Sequence, residues 1–210
     1  MTEAGMKGFS ARTGLAGWNL LGVTAIALLT MVAGIFAVMG VSTESIRLLV
    51  RVTGRISLIL FCLAFSAAAL AQILPSEATL WLRANRRYIG LSFVISHLFH
   101  AMLLIAFARF DAASFATATN PAMFIFGGLG YVFVLLMGAT SFDRSAAWLG
   151  RRRWRMLHLV GGYYLALIFL QAEAKRAAGP FYWPFLAIVI AALGARLATW
   201  FAASRAARQS

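Results

Sequence analysis

Six runs of about twenty apolar residues divide this chain almost from end to end: roughly 16–40, 55–74, 88–108, 122–140, 156–172 and 183–203. A run of that length is what a helix needs to cross a hydrocarbon core of about 30 Å. The chain is 62% apolar with a mean hydropathy of +0.83, against roughly 45–50% apolar in soluble domains. The expected fold is therefore all-α: a polytopic membrane protein, one domain over residues 1–210, built as a six-helix bundle with almost no soluble part. Loops of about 10–15 residues favour sequential antiparallel neighbours. Pro75, Pro121, Pro180 and Pro184 fall at the expected helix boundaries, where a missing amide donor does little harm.

The first run follows Lys7 and Arg12, as a signal peptide would, but Leu15 to Gly40 is much longer than the roughly 7–15 residues of a signal core. It is expected to stay as a helix. Cys62 is the one cysteine, so neither an intrachain disulfide nor a thiolate metal site is expected.

The formal charge of +13 is distributed by topology. Lys7, Arg12, Arg83, Arg86, Arg87, Arg144, Arg151, Arg152, Arg153, Arg155, Arg205 and Arg208 fall on one side. Arg47, Arg51, Arg55, Arg109, Lys175 and Arg176 fall on the other, in the first, third and fifth loops. The bias of twelve against six places both termini in the cytoplasm of a cell inner membrane. The basic excess then means contact with anionic lipid, and no nucleic-acid partner is expected. Arg196, inside the last run, is close enough to its end to snorkel.

No G-x-G-x-x-G follows a strand pattern and no Walker sequence occurs, so the chain has no domain of its own for NAD(P)H or a flavin. Six acidic residues, none in the middle of a run, leave neither a nucleophilic triad nor a dense proton relay, so no catalytic residue is assigned. Asn19, Gln72 and Arg196 are the few other polar candidates. Gly127, Gly128 and Gly130 suit close helix contacts in the fourth run. Gly161 lies three positions after His158 on the same face, where a flat ligand edge needs a small residue.

All three histidines lie inside apolar runs: His97 and His100 in the third, His158 in the fifth. An ionisable residue there is costly and marks a candidate site, and imidazole is a usual axial ligand of haem iron. His97 and His100 are spaced i, i+3 and point broadly to one side of their helix. The helical rise puts His100 roughly 20 Å into its span and His158 near the start of its own, a height difference of about 12–15 Å. One haem bridging the two is therefore awkward. The residue expected opposite His100 is Gln171, thirteen positions after His158. Opposite His158 the third run offers Tyr88 to Ser92, with Tyr88 more ordinary as an interfacial anchor.

These residues carry a resemblance. Arg86-Arg87-Tyr88-Ile89-Gly90 is followed by His100, and Thr140-Ser141 leads through Leu149-Gly150 to Trp154-Arg-Met-Leu-His158. In that order and on those helices, the pattern, over roughly residues 50–175, resembles the ferric reductase-like transmembrane domain. Within that family it is most similar to the MsrQ/YedZ-like haem-binding membrane subunits serving a periplasmic methionine sulfoxide reductase. The resemblance implies b-type haem, one or two, held by histidines of the third and fifth helices and carrying electrons across the membrane. The donor would be a quinol (a bound quinone) or a cytoplasmic flavin, and the acceptor a separate periplasmic reductase. His100 and His158 match the family's ligands, and Gln171 stands where it has another histidine. His97 is a local substitute that, being on the same helix, cannot supply the opposite axial face. Arg86, Arg87 and the run Arg151 to Arg155 would neutralise haem propionates or dock a flavin. The contrasting expectation is a haem-free membrane scaffold or transporter-like protein that kept the fold.

Overall fold

In lipid every backbone amide and carbonyl must be paired internally, which apolar runs of this length achieve as helices. The computed structural model describes residues 15–177, 179 and 181–209; Lys7, Arg12 and Pro180 lie outside them. Among the described residues there are nine helices and no strand. Six are long and apolar enough to cross a membrane: α1 (Trp18–Met39), α2 (Thr43–Ile73), α4 (Arg86–Phe110), α6 (Pro121–Ala139), α8 (Arg151–Ala174) and α9 (Trp183–Gln209). Three short helices lie between them: α3 (Glu77–Ala84), α5 (Ala112–Ala118) and α7 (Asp143–Leu149).

Successive spanning helices pack side by side, as short connections require. The most extensive contact is α2 on α4, and α9 returns to close the bundle against α2. The order around the bundle is α4, α6, α8, α9, α2, with α1 outside on α4 and α2. In α1 only Leu28 is buried. The core joins Leu58, Phe61 and Phe65 of α2 to Phe93 of α4, Val134 of α6, Leu165 and Phe169 of α8 and Val189 of α9. Cys62 is a free, buried thiol within it.

The largest departure from the sequence expectation is the start of the second helix. The second helix begins at Thr43, not near residue 55, so Arg47, Arg51 and Arg55 are helical rather than in a loop. A capping box starts it: Ser42 accepts from the Ser45 amide while the Ser45 hydroxyl accepts from the Ser42 amide. At 31 residues the helix is about 46 Å long, well beyond a hydrocarbon core of about 30 Å. Its first turns extend past the core, which lets charged side chains sit on a helix without entering lipid. Asp111, at the junction of α4 and α5, caps Ser114 and takes the Thr43 hydroxyl at 3.1 Å, tying α4 to the start of α2. The Ser114 amide is the main reason its carboxyl titrates below the usual range.

At the opposite end of the bundle the chain passes from α7 to α8 through Gly150 alone, at φ +80° and ψ 148°. That region is essentially restricted to glycine. The prediction is that Gly150→Ala lowers stability by about 1–3 kcal/mol, read as a lower thermal midpoint in detergent. An unchanged midpoint would mean that α8 can start without this turn.

Candidate functional site

The histidines sit at two levels. His100 lies against α2, where Nδ1 is 3.0 Å from the Val50 carbonyl and 3.2 Å from Thr53 Oγ1. Thr53 donates its own proton to the Leu49 carbonyl at 2.7 Å, so towards the ring it can only accept, as can Val50 O. Nδ1 therefore carries the proton, and in the neutral ring the lone pair is on Nε2. Gly54 faces the ring: a Cβ there would lie 3.4 Å from His100 Cε1, at ordinary contact distance. One turn away, Ser96 and Ser57 share a hydrogen bond of 2.9 Å across the same pair of helices.

His158 is held in the mirrored sense at the other end of the bundle. Thr140, the residue that ends α6, donates its hydroxyl proton to the Leu136 carbonyl at 2.7 Å. It accepts from His158 Nε2 at 3.2 Å, which leaves the neutral ring's lone pair on Nδ1. Trp154, one turn before, stacks on the imidazole with centroids 4.3 Å apart and donates from Nε1 to the Thr140 carbonyl. The Trp-x-x-x-His spacing is thus a single structural unit clasping the end of α6.

His97 lies among rings: Tyr131 of α6 at 4.7 Å, Phe93 at 5.3 Å, His100 at 5.5 Å and Phe169 of α8 at 5.9 Å between centroids. Its Nδ1 and the Tyr131 hydroxyl are both buried without a hydrogen-bond partner among the described residues. Burying a polar atom unpaired is unfavourable, so these two atoms are unmet polar groups inside a ring-packed core. Phe169 is eleven positions after His158, about 16 Å of helix. The two histidine levels are therefore separate, in line with the helical-rise expectation. The helices that carry them, α4 and α8, make no extended backbone contact and meet through Phe93, His97 and Phe169.

Several expected positions differ. Gln171 is exposed, and the α8 residue that reaches the His97–His100 level is Phe169; an even i+4 step from Leu165 keeps Phe169, not Gln171, on the buried stripe. Gly161 clears no ligand edge: a Cβ there would fall 2.6 Å from Met137 Sδ and 2.9 Å from the Phe133 ring, so it seats α8 against α6. A Cβ at Gly130 would make only ordinary contact with Leu165 and Tyr164 of α8, and Gly127 and Gly128 face open space. Tyr88 packs edge-on to Trp18. Arg87 pairs with Asp143 at 2.8 Å, but Asp143 is 94% exposed, so the bridge stabilises little. Arg86 is half-buried, within electrostatic reach of both His158 and Arg196.

Glu173 is the residue that the sequence reading missed. Ending the fifth run at 172 left it in a loop, but α8 continues to Ala174. Glu173 extends the stripe of Gly162, Ala166 and Phe169 by one turn and is only 6% exposed. Oε1 lies 3.8 Å from Arg176, and Oε2 is buried with no hydrogen-bond partner. The i, i+3, i+4 spacing was the signal available. The cavity of about 400 Å³ at the start of α2, lined by Thr43, Glu44, Arg47 and Arg51, touches none of the histidines.

Comparison with protein-family models, with curated proteins and with solved structures gives no match to this chain. Among the described residues no group of three or more His, Cys, Asp or Glu side chains converges to hold a bare metal ion.

The Thr140–His158 contact is testable by a double-mutant cycle. Thr140→Val and His158→Phe are each expected to lower the thermal midpoint. The pair should cost less than the sum, with a coupling of about 0.5–3 kcal/mol. Strict additivity would show that the two side chains do not meet.

Proposed function

We propose that this chain is a membrane-embedded b-type haem protein that passes electrons across the bilayer. The donor is a quinol or a cytoplasmic flavin, and the acceptor is a separate periplasmic reductase. The observation that carries this reading is the fixed tautomer of His100. A metal-bound histidine almost always donates its other ring N–H to a carbonyl, carboxylate or water, and His100 Nδ1 donates to the Val50 carbonyl. His158 has the same arrangement with Thr140, on the opposite ring nitrogen. His100 on α4 and His158 on α8 are the ligands proposed, each at its own level, with no second histidine facing either. His97, beside His100, lines the same level, and Arg86, near His158, supplies positive charge for acidic substituents. Bound there, the haem supplies a one-electron couple. The bundle supplies axial nitrogens, a low-dielectric wall and exclusion of water. In the proposed orientation the arginine-rich end, with Arg83, Arg144 and Arg151 to Arg155, faces the cytoplasm of an inner membrane.

A second reading, a haem-free scaffold or transporter-like protein, has one specific observation behind it. At the His97 level the space between α4 and α8 holds Phe93, Phe169 and Tyr131 in mutual ring contact with His97, the packing of a closed core.

The reduced-minus-oxidised visible spectrum of the protein, expressed with ample haem, decides between them. The expected result is a Soret and an α-band, with His100→Ala and His158→Ala each reducing haem content. Because Gln171 faces outward, Gln171→His is expected to leave haem content unchanged, whereas Phe169→His should raise it. A spectrum without haem bands supports the scaffold, and indifference to both alanine variants would overturn the ligand assignment.

A further inference from the structure

The arginines inside the bundle are engaged there. Arg196 does not snorkel: from the middle of α9 its guanidinium turns inward and donates from Nη1 to the Phe65 carbonyl at 3.0 Å, lying over the Phe65 and Tyr163 rings. Arg55 lies over the Tyr182 and Phe185 rings, 5.1 Å and 4.8 Å from their centroids. Arg51 and Arg47, nearer the start of α2, are exposed, and with Thr43 and Glu44 they line the cavity of about 400 Å³.

Glu44, Arg47 and Arg51 are spaced i, i+3, i+7, so they share one face of α2. A Glu and an Arg at i, i+3 are placed to pair, yet Glu44 pairs with neither arginine: the ion pairs among the described residues are Arg87–Asp143 and Arg176–Glu173. Thr43 donates its hydroxyl proton to Asp111, whose carboxylate also caps Ser114. Arg47 has the Phe107 ring at 6.0 Å. The cavity is thus walled by two guanidiniums and one carboxylate that do not neutralise each other. Its volume lies within the roughly 300–1,000 Å³ of small-ligand sites.

Its height on the helix says what surrounds it. Ile56 to Ile73 of α2 carries no charged residue, and that stretch is about 27 Å of helix, close to a hydrocarbon thickness of about 30 Å. Arg51 therefore lies at headgroup level, with Arg47 and then Glu44 farther out. The cations are nearer the hydrocarbon and the anion is beyond them, whichever way the bundle crosses the membrane. That order is complementary to a phosphoethanolamine headgroup, whose phosphate adjoins the glycerol and whose ammonium is at the outer end.

We propose that the cavity binds the headgroup of phosphatidylethanolamine, with Arg47 and Arg51 on the phosphate and Glu44 on the ammonium. Guanidinium binds phosphate oxygens in two-point fashion, and an ammonium has N–H groups to donate to a carboxylate. Glu44 gives the selectivity: it repels a headgroup that is only anionic, and a quaternary ammonium offers it no hydrogen bond. The site involves none of the histidines and does not depend on the haem reading.

The test uses the full chain, purified in a neutral detergent and stripped of lipid, with thermal midpoint as the readout. Dioleoylphosphatidylethanolamine, dioleoylphosphatidylglycerol and dioleoylphosphatidylcholine are titrated separately. The expected result is that the ethanolamine lipid reaches half of its shift at about a tenth of the concentration that the other two need. Arg47→Gln and Arg51→Gln should each raise that concentration about tenfold. Glu44→Gln should remove the preference, so that the glycerol lipid acts at least as well as the ethanolamine lipid. Arg109→Gln, exposed at the same end of the bundle but not lining the cavity, should respond as the parent does. Equal responses to the three lipids, the absence of any response included, or a stronger response of the parent to the glycerol lipid, would overturn the proposal. So would Glu44, Arg47 and Arg51 variants that respond as the parent does.

Discussion

The close seam between α2 and α4 is the interaction on which the rest of this structure depends. In lipid, helices gain nothing from burying apolar surface against one another and associate through close packing and polar contacts. The seam uses both. Thr53, Ser57, Ser92 and Ser96 are fully buried there, and Gly54 faces the His100 ring. Hydrogen bonds of this kind in membranes contribute only about 0.6 kcal/mol each on average, so their weight is in register. Ser57–Ser96 and His100–Val50 together allow one rotation and one height of α4 against α2. That register turns His97 towards α6 and α8 and places Phe93 against Phe61 and Phe169.

The two ends of the bundle then become different environments. At the end where α2 begins, the helix outruns the hydrocarbon, and Arg55 lies over Tyr182 and Phe185 while Arg47 lies 6.0 Å from the Phe107 ring. There a buried Glu173 and the His97–His100 pair share an apolar, aromatic interior. At the arginine-rich end, His158 is clasped to α6 by Thr140 and Trp154, and Arg87 pairs with Asp143.

Much of the site was legible, and the misreadings share a cause. The three histidines and their two heights follow from helical rise and spacing alone, whereas the stacking of Trp154 on His158 came only with the structure. An expected helix end at 172 hid Glu173, while Gln171 was chosen for its depth, which fixes height along α8 but not which face turns inward. Arg196 was taken to snorkel since its distance from the helix end permits that. Its actual direction depends on a carbonyl at Phe65, 131 positions away in the chain. Gly161 suited a ligand edge as a small residue beside His158, but the same smallness serves Met137 and Phe133 of α6. Nothing local to Gly161 chooses between these.

What the sequence determined by itself is the number of helices long and apolar enough to span a membrane and the approximate place of each, because apolar length acts segment by segment against the bilayer. What only the tertiary structure decided is which face of each helix turns inward: Phe169 rather than Gln171, Arg196 inward rather than outward, the proton of His100 on Nδ1 rather than Nε2. Lipid accepts most faces of an apolar helix almost equally, so hydrophobicity sets no rotation. Rotation is chosen by the few carbonyls, hydroxyls and small residues on neighbouring helices, and these lie far apart in the chain.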